Sequence, residues 1–199
     1  MLYGQIDLKR LVLDKNELAA RLGVPVGEIP KEAEDIWREL CLAAGSAAFC
    51  AVRVNVKCAD GAVHLGDFAV ESAALLRVLG SSSFAVLLTV TLGHGAERFL
   101  RGRAMLGTLR HFLADAVADA AIEAAADFAQ KEVLGADGHT ARFSPGYADF
   151  DLSYVKNIVD LTGAGARLGI SVSREFLMTP TKTVCAVIGI KKEVEENGK

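Results

Sequence analysis

The residues from Ala96 to Leu134 form the longest stretch of helical character in the chain, and its second half is rich in alanine. Alanine has the highest helix propensity and loses no side-chain entropy on burial. Because small side chains let a neighbouring backbone approach closely, a helix of this composition is expected at the centre of the fold. Gly102 and Gly107 weaken the helix, so a break is expected near one of them.

Other segments show a period of two, which is typical of β-strands with one exposed face. Val52, Val54 and Val56 alternate with polar residues, and Asp60-Gly61 then predicts a hairpin turn before a second strand. Further strands are predicted at 84–92, 167–173 and 183–190. Further helices are predicted at 14–22, 31–44, 71–79 and 153–161, and a Gly-rich turn at Gly163 and Gly165 is expected after the last of them. This pattern predicts a mixed α+β fold, with a largely antiparallel sheet flanked by long helices.

The 199 residues suffice for one well-packed domain. Residues 1–46 are predicted to form an N-terminal helical cap on an α+β body of residues 47–199, the two making one compact unit. The charged end from Lys191 to Lys199 is expected to fray.

Charge and hydropathy argue against two classes of partner. The net charge is −3 with scattered basic residues, so a nucleic-acid partner is not expected. No apolar run approaches the roughly 20 residues of a membrane span, and no secretory leader is recognisable. A soluble, cytoplasmic protein without a membrane partner is therefore expected.

The four cysteines do not show the spacing of a redox pair or a zinc site; they are Cys41, Cys50, Cys58 and Cys185. They are expected to be reduced and mostly buried, since free cysteine is commonly a core residue. No metal site is assigned.

The segment from Arg142 to Tyr147 places a guanidinium, a tight turn and a phenol close together after the long helix. The planar fork of Arg142 suits a carboxylate, and a lysine could not reproduce that two-bond geometry. Gly146 lets the backbone come close to a bound molecule, and Tyr147 adds an aromatic face and a hydroxyl. The loop 135–150 is therefore the predicted ligand-binding segment. An ordinary surface ion pair is the alternative role for Arg142.

Four acidic residues are spaced four apart in the long helix: Asp115, Asp119, Glu123 and Asp127. They form a slowly drifting stripe, and adjacent like charges destabilise a helix by about 0.2–0.5 kcal/mol per pair, so some interaction should offset them. One interpretation is an ordinary solvated face. For Glu123 a second interpretation is open, because the helix can return this carboxylate to the mouth of the loop that carries Arg142.

These features resemble the S-adenosylmethionine-binding activation domain of cobalamin-dependent methionine synthase, over most of the chain from about Ala47 to Ile190. In that family a helix with a glutamate precedes an arginine-x-x-proline-glycine-tyrosine loop, and both bind S-adenosylmethionine. The resemblance implies the following binding residues: Glu123, Arg142, Ser144, Pro145, Gly146 and Tyr147. Segment 173–180 resembles a family segment that supports the site. Asp7 and Asp14 are the candidates for an aspartate that the family carries near its N-terminus.

The resemblance implies a role in reductive reactivation, in which cob(II)alamin takes an electron from a flavodoxin-like donor and a methyl group from S-adenosylmethionine. The implied partner is a cobalamin-binding methionine synthase that lacks its own activation domain. Cobalamin is expected on that partner, since the sequence has no corrinoid ligand motif. His94 lacks the pattern that supplies the lower cobalt ligand in related enzymes and is assigned a structural or gating role. The alternative is a non-catalytic module that senses an adenosyl ligand or docks on a corrinoid protein.

Overall fold

The structure is a computed structural model that describes residues 1–135 and 138–191. The predicted fraying of the tail concerns mainly residues 192–199, which lie outside the described residues. Within the described part of the chain, no helix has the length and apolar character needed to cross a membrane.

The main sheet has six antiparallel strands in the order β4-β3-β2-β5-β8, with β1 also paired to β2. Its strands are β1 (Leu2–Asp7), β2 (Ser46–Ala59), β3 (Ala62–Leu65), β4 (Phe68–Val70), β5 (Ser82–Thr91) and β8 (Thr183–Lys191). The first half of β2 pairs with β1 and its last four residues pair with β3, so one long strand joins both parts of the sheet. A separate two-stranded hairpin is formed by β6 (Ser171–Val172) and β7 (Met178–Thr179).

Helices cover both faces of this sheet. They are α1 (Lys15–Leu22), α2 (Glu32–Ala44), α3 (Ala73–Leu79), α4 (Gly93–Ala104), α5 (Thr108–Leu134), α6 (Tyr154–Thr162) and α7 (Ala164–Leu168). One face of the sheet packs against α1, α2, α4 and α5, and the other packs against α3, α6 and α7. The predicted α+β fold with an antiparallel sheet and flanking helices is confirmed.

The alanine-rich helix α5 lies at the centre of the first of these layers, as predicted. Its alanines at positions 114, 118, 121, 125, 126 and 129 are completely buried. The predicted break falls between α4 and α5. Gly107 lies there with φ +119°, a backbone conformation that residues with a Cβ rarely adopt.

Two segments differ from the sequence predictions. The predicted strand at 167–173 is wrong in its first half, because α7 continues to Leu168 and the strand is limited to Ser171–Val172. Of the Gly-rich turn expected at Gly163 and Gly165, only Gly163 lies between helices, where its left-handed conformation ends α6; Gly165 lies within α7.

The N-terminal segment also contributes more than the helices that were predicted for it. Strand β1 adds to the main sheet beside β2, with Ile6 buried in the core. Helix α1 begins after Asp14, whose Oδ1 accepts from the amide of Asn16 at 2.7 Å, and ends at left-handed Gly23, as predicted. The division of the chain at residue 46 stays a prediction.

Candidate functional site: a charged groove between helix α5 and the loop after it

The loop that follows α5 runs along the outer edge of β8. The amide of Thr140 donates to the carbonyl of Gly189 at 2.9 Å. Phe143 and Val187 exchange two backbone hydrogen bonds, of 3.0 and 2.8 Å. These bonds hold the backbone on either side of Arg142 against a rigid sheet, so the position of its side chain is set by the fold.

The guanidinium of Arg142 lies against the side of α5. Its Nη2 donates to Oε2 of Glu123 at 3.0 Å. Its Nη1 donates to Oδ1 of Asp127 at 2.6 Å and to Oε1 of Gln130 at 3.1 Å. The Arg142 side chain is only 18% exposed, whereas that of Asp127 is 73% exposed. Arg142 therefore forms an ion pair, as one sequence interpretation expected. This pair lies at the edge of a groove, which is the setting that the ligand-binding interpretation requires.

The groove has a volume of about 440 Å³ and joins apolar and charged walls. Its lining residues are Glu123, Asp127, Gln130, Ala141, Arg142, Phe143, Ser144, Tyr147 and Val184. Four of the six residues predicted to bind S-adenosylmethionine are thus brought together around one space. The other two, Pro145 and Gly146, do not line the groove, and Pro145 is buried. That these residues bind the ligand stays a prediction.

The turn itself is closed by short backbone hydrogen bonds. Gly146 adopts φ +91° and donates its amide to the carbonyl of Phe150 at 2.7 Å. Phe150 is buried and stacks on Phe143, with ring centroids 6.0 Å apart. Tyr147 is 68% exposed, so its phenol is available at the groove mouth rather than packed in the core.

Asp149 ties the same loop to the opposite side of the sheet. Its carboxylate accepts from the hydroxyl of Ser72 at 2.6 Å and from the amides of Ala73 and Ala74 at the start of α3. The Ser72 hydroxyl, helped by those amides, lowers the pKa of Asp149 below its ordinary value, because each donor stabilises the ionised form.

The acidic stripe on α5 is matched by basic residues from other segments. Lys182, which is 11% exposed, places its Nζ 2.7 Å from Asp115 and 2.6 Å from Asp119. Arg21 of α1 approaches Asp119 to 3.1 Å. Together with Arg142, these cations provide the expected offset, so an ordinary solvated face does not describe the stripe.

A second cavity of about 300 Å³ lies on the other side of the same ion pair. It shares Glu123, Asp127 and Arg142 with the first groove and extends towards the start of α1. Asp14 lines this second cavity while also capping α1. Asp7, the other aspartate considered from the sequence, instead accepts from the amide of Lys9 in a short turn after β1.

The groove is also lined by residues that were not predicted to bind the ligand: Gln130, Val184 and the loop residues Ala141 and Phe143. Gln130 could have been found, because it follows Glu123 by two helical turns and so lies on the same face of α5. Val184 could not, since only the pairing of β8 brings it beside the loop. Segment 173–180 contains the turn of the β6–β7 hairpin and strand β7, and it does not contribute to the lining of the groove.

His94 and the cysteines lie away from this groove. His94 is exposed, and its Nε2 is 3.1 Å from the carbonyl of Gly169, a contact that links α4 to the end of α7. Cys41, Cys50 and Cys185 are buried and Cys58 is exposed, as expected of mostly buried free thiols.

No family model matches the chain, and no curated protein matches it. Among solved structures, it is similar to the crystal structure of the MetH reactivation domain bound to AdoHcy. The TM-score is 0.77 at 12% identity, and the match covers 96% of this chain and 78% of that chain. The chain therefore has the fold of the MetH reactivation domain, which is the fold that the sequence resemblance implied.

Proposed function

We propose that the groove between α5 and the 138–150 loop binds S-adenosylmethionine, and that the protein presents it for reductive methylation of cob(II)alamin on a partner methionine synthase. The observation that carries this proposal is the pairing of Arg142 with Glu123 at the edge of a 440 Å³ groove, in a fold shared with a domain that was crystallised with AdoHcy. The partner would be a methionine synthase without an activation domain of its own, served by a flavodoxin-like electron donor.

The chemistry of the lining residues fits this ligand. S-adenosylmethionine carries a carboxylate, an ammonium, a sulfonium and an adenine ring. The guanidinium of Arg142 offers a carboxylate two parallel hydrogen bonds, and Glu123 offers an anion to the ammonium or sulfonium. Phe143 and Tyr147 supply aromatic surface for the flat or cationic parts of the molecule. A ligand of this kind forms one ion pair with Arg142 and another with Glu123, while these two residues stay side by side.

The protein's part in the reaction is to position the methyl donor. S-adenosylmethionine supplies an activated methyl group on its sulfonium, so the chain needs no nucleophile or general base of its own. Hydrogen bonds from the loop to β8 keep Arg142 fixed, and the groove stays open towards solvent at Tyr147. A partner that carries cobalamin would approach from that open side.

Isothermal titration with S-adenosylmethionine and S-adenosylhomocysteine tests the proposal directly. Binding at micromolar strength is expected, and Arg142→Ala should abolish it while leaving the circular dichroism spectrum unchanged. Arg38→Ala is the matched control, because Arg38 also forms ion pairs with acidic neighbours but lies on the exposed face of α2. Unchanged affinity in the Arg142 variant would show that the site assignment is wrong.

Reactivation itself needs a second assay. The protein with S-adenosylmethionine and a reductant should restore activity to a cob(II)alamin-loaded methionine synthase that lacks its activation domain. Ligand binding without restored activity would favour the alternative of a non-catalytic sensing or docking module. No binding up to millimolar ligand would contradict both the methyl-donor role and a sensing role.

A further inference from the structure

The three acceptors around Arg142 differ in how firmly they are held. Gln130 and Glu123 are partly covered, with the Glu123 side chain 36% exposed, whereas the Asp127 side chain is 73% exposed. Asp127 nevertheless makes the shortest contact, at 2.6 Å to Nη1. Asp127 therefore binds Nη1 of the guanidinium from the solvent side.

A ligand carboxylate has the same charge and the same hydrogen-bonding atoms as Asp127. Bidentate binding needs one free N–H on Nη1 and one on Nη2 of Arg142. Both N–H groups of Nη1 are taken, by Asp127 and Gln130, whereas Nη2 keeps one N–H beside its bond to Glu123. Three carboxylates around one guanidinium would repel each other. The acceptor that leaves most readily is the exposed one, because water replaces its hydrogen bonds and screens its charge.

We propose that Asp127 is a specificity-determining residue that competes with the ligand carboxylate for Arg142. This inference rests on the proposed function, since it concerns the same groove. Gln130 is neutral and keeps its hydrogen bond to Nη1, so it orients the guanidinium without competing through charge. The competition weakens every ligand that binds through a carboxylate and does not affect an adenosyl ligand that lacks one.

Asp127 also lies in the wall that separates the two cavities. Both the 440 Å³ groove and the 300 Å³ cavity are lined by Asp127 together with Glu123 and Arg142. Rotation of the Asp127 side chain into solvent removes part of that wall. The displaced state thus offers a ligand more room on the side where its amino-acid end would lie.

The test compares Asp127→Asn with the wild-type protein by isothermal titration against two probes. S-adenosylhomocysteine has the carboxylate, and 5′-methylthioadenosine has the adenosyl thioether without it. Asparagine keeps the size of the side chain and removes its charge. The expected result is about two- to five-fold tighter binding of S-adenosylhomocysteine, in line with the strength of exposed ion pairs, and unchanged affinity for methylthioadenosine.

Asp160→Asn is the matched control, because Asp160 is similarly exposed and forms a 2.7 Å pair with Lys156 far from the groove. It should change neither affinity. Glu123→Gln should act in the opposite direction to Asp127→Asn and weaken S-adenosylhomocysteine binding, since Glu123 is assigned to the ligand's cationic part. Thermal denaturation of each variant shows whether it has folded.

The outcomes separate this inference from the proposed function. If wild-type protein binds S-adenosylhomocysteine and Asp127→Asn binds it no more tightly, the competition is refuted and the proposed function stands. Equal tightening for both probes would also refute it, because the effect would not depend on the carboxylate. If neither protein binds S-adenosylhomocysteine, both proposals fail together.

Discussion

Gly146 shows how a single residue shapes the groove. Its φ of +91° is a backbone conformation that is strained for residues with a Cβ. The turn that it forms positions Tyr147 at the groove mouth. Arg142, four residues earlier, is held by the sheet edge and by three acceptors on α5. The turn and the guanidinium are thus fixed by different parts of the fold, so their effects can be separated by substitution.

Gly146→Ala should destabilise the protein by about 1–2 kcal/mol, because a Cβ at this φ is strained and would lie 3.3 Å from Cδ1 of Leu152. Chemical denaturation measures the change in the free energy of unfolding. Gly102→Ala in α4 is the control, since Gly102 has no positive φ and open space around its Cβ position. That variant should gain up to about 1 kcal/mol through helix propensity. Equal effects of the two variants would contradict the role given to the turn.

Among the helices and strands, those with a local sequence pattern could be predicted and those without one could not. The alanine-rich α5, the helix α1 with its caps and the strands β5 and β8 each carry a local pattern that their tertiary surroundings do not override. Strand β1 carries none, because it gains its place only by pairing with β2. The short helix α7 was not predicted, because Gly163 before it and Gly165 within it suggested a turn.

The candidate site shows the same division. The spacing of Arg142, Gly146 and Tyr147 is a local motif, and Glu123 was added through the family resemblance. Val184 enters the site through strand pairing alone, and the Lys182 contact with α5 likewise depends on where β8 begins. Such long-range contacts leave no periodic signal in one sequence.

The link between the loop and α3 makes a prediction about acid stability. The pKa of Asp149 is lowered in the folded protein, so its contribution to stability is present above the unfolded-state pKa of about 3.9 and is lost as pH falls through the folded-state value. Asp149→Asn should therefore be less stable than wild type at neutral pH, and the difference should shrink progressively below about pH 5. Urea denaturation at a series of pH values measures it.

Asp67→Asn serves as the comparison for that series, because Asp67 is an exposed aspartate in the turn between β3 and β4. Its difference from wild type should be small at every pH. A difference for Asp149→Asn that stays constant down to pH 2 would show that the carboxylate does not act through its charge.

At the scale of the whole molecule, two helical layers enclose one sheet and divide the core into two clusters. Three cysteines lie inside these layers, and burial raises the pKa of Cys185 to about 12 and raises those of Cys41 and Cys50. A thiol that is both covered and protonated does not react with alkylating or disulfide reagents at neutral pH.

Native protein should therefore react rapidly at one thiol per chain, Cys58, and at all four only after unfolding. Labelling with a chromogenic disulfide reagent, with and without denaturant, gives both counts. Cys58→Ser should abolish the rapid phase and leave the slow one. Rapid labelling of a second thiol in that variant would show that one of the two layers opens readily.

The hydrogen bonds that hold the segment 138–143 have a consequence beyond the groove. Strand β8 is the last strand on its side of the sheet, and the backbone of residues 138–143 bonds to it at Val187, Gly189 and Lys191. A bare strand edge is a template for pairing with another chain, and this cover removes much of it. The segment that positions Arg142 thus also covers the edge of the sheet, so the geometry of the groove and the protection of that edge depend on the same few backbone bonds.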